Sequence, residues 1–367
     1  STTDALLQYV DDYTKFLDDA KTKFVQSACL DFSKAFDRLQ PSIVVNKMRS
    51  LNFDENIVRL ISNFLCNRTQ CVKFSGSFSD YKSIEVGSPQ GTKLGPVLWL
   101  IYVNDLECDG FSSLKYADDT TFYKPCSLNS DPQSISEAIE NAIRWSNDNS
   151  MLLNSDKTVL MNTSLSHTNN FDEDILVNDV MIPPSDQTKF LGVIVDNKLN
   201  FSSHIEYLVS KCNSRLFLMR QLKSFGLNSD GLKTFYISNI RSILLYGAPA
   251  WHSLLSLSSK EKLESIQRSA TRIITPDMCH KDRLDFLSIP LLNDFIFSSC
   301  AKHFERISSN QLHPLFSRIN FNNLKRSSRA KSVCSTYRPE ISRTQKRSKS
   351  FFQYYMRFFN NGNIYVE

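Results

Sequence analysis

Residues Tyr116-Ala117-Asp118-Asp119 set two carboxylates side by side between stretches with strand chemistry. Ser112-Ser113-Leu114-Lys115 and Thr120-Thr121-Phe122-Tyr123 are β-prone and carry alternating apolar residues, which predicts a hairpin with two acids at its tip. Two ionised carboxylates 4 Å apart repel by roughly 4 kcal/mol at an effective dielectric near 20, so a fold that keeps them together needs a compensating cation. The letters alone decide nothing. Tyr9-Val10-Asp11-Asp12 spells the same pattern, and Asp18-Asp19 is a third acidic pair. Leu6, Leu7, Val10, Tyr13 and Leu17 recur at the spacing of an amphipathic helix, which predicts Asp11 and Asp12 on or near its solvated face.

A length of 367 residues allows two or three structural units. A hydrophobic content of 41% with 22% charged residues is ordinary for a soluble globular protein, and a net charge of +5 names no partner. Its distribution says more. Between Arg318 and Lys349 the basic residues are Arg318, Lys325, Arg326, Arg329, Lys331, Arg338, Arg343, Lys346, Arg347 and Lys349, against the single acid Glu340, so this tail could cover phosphates. The nine cysteines show no C-x-x-C spacing and no disulfide-like framework, which favours a reducing compartment. Cys279-His280 with Cys300 and His303 fits no common zinc spacing and reads as core or surface. No run of 18 apolar residues occurs, and no membrane partner is expected. Ser1 falls inside a predicted helix, so the chain is expected to be a fragment of something longer.

Ser27-Ala28-Cys29-Leu30 predicts a short buried strand ending at Asp31, followed by helices through residues 44–48 and 55–66. Residues 71–74 and 81–86 read as a strand pair about Ser75-Gly76-Ser77, and the loop 87–96 opens a helix towards Asp105. A helix is predicted from about residue 134 to 149, with strands at 158–161 and 190–195. Beyond Asn200 the pattern turns helical: Ile205, Leu208, Val209, Cys212, Leu216 and Met219 form one stripe, and Ser258 with Glu261 reads as a capping box for a helix ending near Pro276. The expected organisation is an α+β unit over 1–200, an all-helical unit over 201–310 and a basic tail over 311–367.

If the strand of Asp31 and the Asp118-Asp119 hairpin are neighbours, three carboxylates converge at one sheet edge. All-oxygen acidic ligation suits Mg²⁺ or Mn²⁺ rather than zinc. Paired metals held this way clamp the attacking and leaving oxygens of an in-line phosphoryl displacement, which points to nucleotidyl transfer.

Leu30-Asp31-Phe32-Ser33-Lys34-Ala35-Phe36-Asp37 resembles the first acidic palm motif of reverse transcriptases. Gly87 to Pro96, with Pro89-Gln90-Gly91, resembles their template-grip loop, and Tyr116 to Asp119 their Tyr-x-Asp-Asp box. The likeness is to LINE-type, non-LTR retrotransposon enzymes of the jockey-like group. Leu153-Asn154-Ser155-Asp156-Lys157-Thr158 looks like the fourth palm motif, Phe190-Leu191-Gly192 to Leu199 like the primer grip, and Tyr246-Gly247-Ala248-Pro249-Ala250-Trp251 like a segment past the thumb. Together these span roughly residues 1 to 255.

The resemblance implies an α+β fold: a palm with an antiparallel sheet and helices on one face, then a helical thumb and a basic C-terminal extension. It implies an RNA-directed DNA polymerase adding dNTPs to a DNA 3′-OH, with an RNA template and a DNA primer or target DNA as partners. Asp31, Asp118 and Asp119 would hold two Mg²⁺ ions (Mn²⁺ the alternative), with the Phe32 carbonyl as a further ligand. Phe36 would sit under the incoming sugar and reject a 2′-hydroxyl, Gln90 and Gly91 would contact nucleotide and template, and Lys157 would act on the leaving pyrophosphate. Phe190, Leu191 and Gly192 would grip the primer. Plainer readings stand beside these: a helix-capping Asp31, a simple acidic turn at Asp118-Asp119, a core aromatic at Phe36, a solvated Lys157, a buried strand at Phe190, a structural Asp37 and a core Trp251. The family's basic fingers and endonuclease would precede Ser1, so this polypeptide is expected to polymerise poorly or not at all. A catalytically silent nucleic-acid-binding remnant is the rival, whereas Phe36 argues against an RNA-dependent RNA polymerase. The expected location is the nucleus or the cytoplasm, and Lys346-Arg347-Ser348-Lys349 is compatible with nuclear import.

Overall fold

Four strands, Phe24–Leu30 (β1), Ser112–Tyr116 (β2), Asp119–Cys126 (β3) and Val159–Thr163 (β4), form a sheet in the order β2-β3-β1-β4. The computed structural model describes residues 1–127, 134–166, 174–177, 180–321 and 337–361. β1 is almost continuously buried, as a central strand should be, and β2 and β3 form an antiparallel hairpin in which Tyr116 pairs with Asp119. Helices Pro41–Ser50, Glu55–Leu65, Leu94–Val103 and Ser134–Asp148 supply the apolar side chains that cover one sheet face. Ala28, Leu30, Phe122 and Leu160 from the strands share that core with Val44, Val58, Leu98, Trp99, Tyr102 and Trp145. The fold class is therefore α+β.

The chain divides into two compact units that do not follow its linear order. Val25–Asn162 with Thr168–Ser185 make one; Ser1–Phe24, Thr163–His167 and Asp186–Glu367 make the other. The N-terminal helix Thr2–Asp18, which the linear reading assigns to residues 1–200, thus groups with the C-terminal residues. In that second unit Ser202–Ser224 packs against Leu257–Ile274, and Leu292–Ser308 and Phe351–Asn360 complete the helical part. The cap of the Leu257 helix is Ser256, whose Oγ accepts the Ser259 N–H at 3.2 Å, rather than Ser258. The expected strand over 190–195 is instead a hairpin, Gln187–Phe190 against Val193–Asp196. Leu191 (φ 45°) and Gly192 (φ 84°) both take positive φ, as a two-residue type I′ turn requires, and a leucine carries no turn signal.

The acids of the first Tyr-x-Asp-Asp look-alike are not solvated. Asp11 is 5% exposed, and Arg318 Nη1 lies 2.8 Å from Asp11 Oδ2 and 2.6 Å from Asp12 Oδ1. Arg347 Nη1 reaches Asp11 Oδ1 at 2.5 Å while its Nη2 binds Glu340. Periodicity finds the apolar stripe of a helix but cannot see a distant segment returning to neutralise the other face. Among the described residues of the basic tail, others also turn inward: Arg343 donates to the Asp18 carbonyl at 2.7 Å, and Lys346 to the Leu199 carbonyl at 2.7 Å. Lys325, Arg326, Arg329 and Lys331 lie outside the described residues. Cys279 Sγ caps the helix His280–Leu287, Cys300 is buried and His303 Nε2 lies 3.1 Å from Asp4 Oδ1. Among the described residues no single helix is long and apolar enough to cross a membrane.

His204 and His252 are buried in the second unit, and burial pushes both pKa values down to about 4 from an ordinary 6.5. The unfolded chain therefore binds protons that the folded chain refuses. The stability from these neutral imidazoles is present above pH 6.5 and is lost as pH falls from 6.5 towards 4, each contributing on the order of 1–3 kcal/mol. Urea unfolding should show a lower midpoint at about pH 5 than at pH 7, with a smaller difference in His252→Asn; identical pH dependence in both proteins would contradict this.

Candidate active site

The pleat of β1 decides where Asp31 points. Ala28, Leu30 and Phe32 enter the helix-covered core, so Cys29 and Asp31 face the other side. On β3, Phe122 enters the same core, which turns Thr121 and Asp119 to the side of Asp31. Thr121 Oγ1 meets Cys29 Sγ at 3.6 Å, and each lies two residues from its aspartate. Beyond β1 the chain bridges Phe32 to Leu153: the Asn154 N–H donates to the Asp31 carbonyl and the Ser33 N–H to the Leu152 carbonyl, both at 2.9 Å. In that pattern the Phe32 carbonyl faces away from Leu153.

The electrostatics report the same gathering. The Asp119 carboxyl is pushed above the usual carboxylate range, first by burial and then by the charges of Asp118 and Asp31, with Lys157 opposing. Lys157 Nζ lies 3.2 Å from Asp31 Oδ2. Three acids thus face one ammonium, a site short of positive charge. Among the described residues no three His, Cys, Asp or Glu side chains converge closely enough to hold a metal ion. The donor set nevertheless fits a hard divalent cation: all ligands are oxygens, and burial together with the charges of Asp118 and Asp31 leaves Asp119 short of compensating positive charge.

The hairpin tip is strained. Ala117 takes φ 53°, a conformation that costs a residue with a Cβ about 1–2 kcal/mol. Trp99 Nε1 donates to the Ala117 carbonyl and so fixes the turn. Trp99 is fully buried, with its ring 6.2 Å from Phe32 and 5.7 Å from Phe36. One indole therefore touches the residue after Asp31, the expected sugar neighbour and the acidic turn. Sequence reasoning missed it, because the helix Leu94–Val103 is apolar on nearly all sides and no periodicity singles out one position.

Phe36 is half-buried against the core, and its carbonyl accepts the Ser88 N–H at 2.9 Å. The Gly87 N–H donates to the Leu39 carbonyl at 2.7 Å, and Gln90 Nε2 donates to Asp37 Oδ1 at 2.9 Å. The loop is thereby fastened beside the Asp31 motif, and Asp37 is the anchor of Gln90. Gly91 has φ +76°, and a Cβ placed on it would meet no atom within 4 Å, so glycine is required there for conformation, not for space.

Phe190, Leu191 and Gly192 belong to the other unit and are not part of the acid cluster's unit. Phe190 is buried and stacks on Tyr9 at 4.8 Å. Tyr246 Oη donates to the Leu191 carbonyl at 2.8 Å, and a Cβ on Gly192 would stand 3.2 Å from the Tyr246 ring. Trp251 is buried, donating Nε1–H to the Tyr246 carbonyl at 3.2 Å.

Replacing Trp99 by Phe keeps an apolar ring but leaves the Ala117 carbonyl without its indole donor. We expect a loss of about 1–3 kcal/mol in urea unfolding; an unchanged midpoint would show that the turn holds itself.

Comparison with known proteins follows the same residues. The family described as reverse transcriptase (RNA-dependent DNA polymerase) matches residues 8–195. The chain is 23% identical over 265 residues to the probable RNA-directed DNA polymerase from transposon BS of Drosophila melanogaster, covering 69% of this chain and 29% of that protein. It is 26% identical over 311 residues to the RNA-directed DNA polymerase from mobile element jockey of the same fly, covering 80% of this chain and 33% of that protein. A telomerase from Candida tropicalis, solved in complex with the TWJ fragment of telomeric RNA, aligns with TM-score 0.42 and 12% identity over 78% of this chain and 52% of that one. The chain spans about a third of the length of the curated relatives it matches. With more than half of its residues inside the family match, and with the Asp31, Gln90 and Asp118-Asp119 motifs in that stretch, the chain belongs to the reverse transcriptase family.

Proposed function

We propose that this chain is the palm and thumb of an RNA-directed DNA polymerase from a non-LTR retrotransposon, adding deoxynucleotides to a DNA 3′-OH on an RNA template. The observation that supports this is that Asp31 and Asp118 both act on the Asp119 carboxyl, with Lys157 opposing them and lying 3.2 Å from Asp31.

In this reading Asp31, Asp118 and Asp119, with the Phe32 carbonyl, hold two Mg²⁺ ions (or Mn²⁺), which when bound supply Lewis acidity to the attacking and leaving oxygens. The chain's own residues do the placing. Strand pairing sets Asp31 and Asp119 on one face, and Trp99 holds the turn that carries Asp118. Phe36, lodged against Trp99, presents its ring to the sugar and excludes a 2′-hydroxyl. Gln90, anchored on Asp37, and Gly91 meet the nucleotide and template. Lys157, whose side chain is mostly exposed, neutralises and protonates the departing pyrophosphate.

We further propose that polymerisation by this chain alone is weak. Lys157 is the one cation acting on Asp119 among the described residues, which is little charge for orienting a triphosphate. The alternative, a silent nucleic-acid-binding remnant, would keep the basic helices and tail but need no metal; of the described tail residues, Arg318 and Arg347 are paired with Asp11.

Primer extension on an RNA template with a DNA primer and Mg²⁺ tests this. We expect slow incorporation of dNTPs that falls at least about a hundredfold in Asp118→Ala. Incorporation that survives Asp118→Ala would overturn the assignment. Fast incorporation abolished by that substitution would remove only the expectation of weakness.

A further inference from the structure

We propose that Arg68 is a positioning residue for nucleotide selection: its guanidinium clamps the Gly87-Ser88 backbone against Phe36 and so steadies the ring that excludes a 2′-hydroxyl. The inference rests on the polymerase reading and names a residue outside the acidic, Pro-Gln-Gly and Lys157 motifs.

Arg68 opens the short strand Arg68–Gln70, which pairs antiparallel with Lys82–Ile84, Arg68 opposite Ile84. Its Nε donates to the Leu65 carbonyl at 2.9 Å, at the last residue of the helix Glu55–Leu65. Its Nη2 donates to the Val86 carbonyl at 3.0 Å and to the Gly87 carbonyl. Among the described residues every acceptor of this side chain is a main-chain carbonyl, so the guanidinium serves backbone geometry rather than an ion pair. A cation at a helix C-terminus would account for the Leu65 contact alone. The Nη2 contacts go further, to the entrance of the loop 87–96.

From the other side the same stretch is tied to the segment after Asp31. The Gly87 N–H donates to the Leu39 carbonyl and the Ser88 N–H to the Phe36 carbonyl, and both residues are buried. Gly87 has φ +81°, and a Cβ on it would stand 2.9 Å from the Asp37 carbonyl oxygen, so the loop backbone already lies close against residue 37. Arg68 closes the outward direction. The Phe36 carbonyl is thus held by an amide whose neighbouring peptide Arg68 holds in turn, while the Phe36 ring lies against Trp99. A planar fork with several fixed donors can span three carbonyls in this way, and a point-like ammonium cannot.

The test is amide hydrogen exchange on the whole chain, followed by mass spectrometry over residues 86–90. In Arg68→Gln exchange at Gly87 and Ser88 should quicken about tenfold, while the amides of β1 keep their rate. Unchanged exchange at the loop would overturn the inference. So would equal quickening along β1, which would make Arg68 a residue of general stability. In Asp118-dependent primer extension, the ratio of kcat/KM for dNTP over rNTP should fall at least about fivefold in the same variant. That ratio does not depend on how much of the protein is folded, and an unchanged ratio would overturn the role in selection. Failure here is separable from failure of the polymerase reading. Quickened loop exchange without any Asp118-dependent extension rejects the polymerase and keeps the clamp, and Asp118-dependent extension with unchanged exchange rejects the clamp alone.

Discussion

Like charges held within reach of one another organise the first unit. Burial first, and then the charges of Asp118 and Asp31, raise the proton affinity of Asp119, and one ammonium, Lys157, opposes them. Carboxylates left to themselves would separate, so the scaffold has to keep them. It does so with backbone: pairing of β1 with β3 fixes two acids on one face, and the Asp31 carbonyl is held by Asn154. The third acid depends on a turn with Ala117 in a conformation that alanine disfavours, steadied by a buried indole. Strain at Ala117 and like charge around Asp119 coincide at one place, which supports the catalytic reading proposed for it.

The surrounding loops serve the same place. Ser88, Gly87 and Gln90 are each tied by a hydrogen bond to the segment 36–39, which follows Asp31 by a few residues. Asp37, read from sequence as merely structural, carries the contact that orients Gln90. Trp99 joins Phe32, Phe36 and Ala117, so that the aromatic under the expected sugar and the turn bearing Asp118 share one support.

Local pattern made the acidic hairpin legible, since alternation around Tyr116 to Asp119 predicts strands whose register then puts Asp119 beside Asp31. The helical character beyond residue 200 was legible for the same reason. What escaped was non-local or locally silent. Leu191 at positive φ has no turn chemistry, so two strands read as one. The Asp11-Asp12 pair looked solvated because its partners, Arg318 and Arg347, lie some three hundred residues away. Asp11 is instead buried with its guanidiniums, where removing one partner would strand a charge. Trp99 sits in a helix too uniformly apolar for any position to stand out.

The central claim is that the gathered carboxylates are a place for divalent cations, and Mn²⁺ binding followed by the loss of the free-ion electron paramagnetic resonance signal tests it most directly. The account predicts that the whole chain takes up Mn²⁺ and that Asp31→Asn/Asp118→Asn/Asp119→Asn, still folded by circular dichroism, does not. Equal uptake by the two proteins would contradict it.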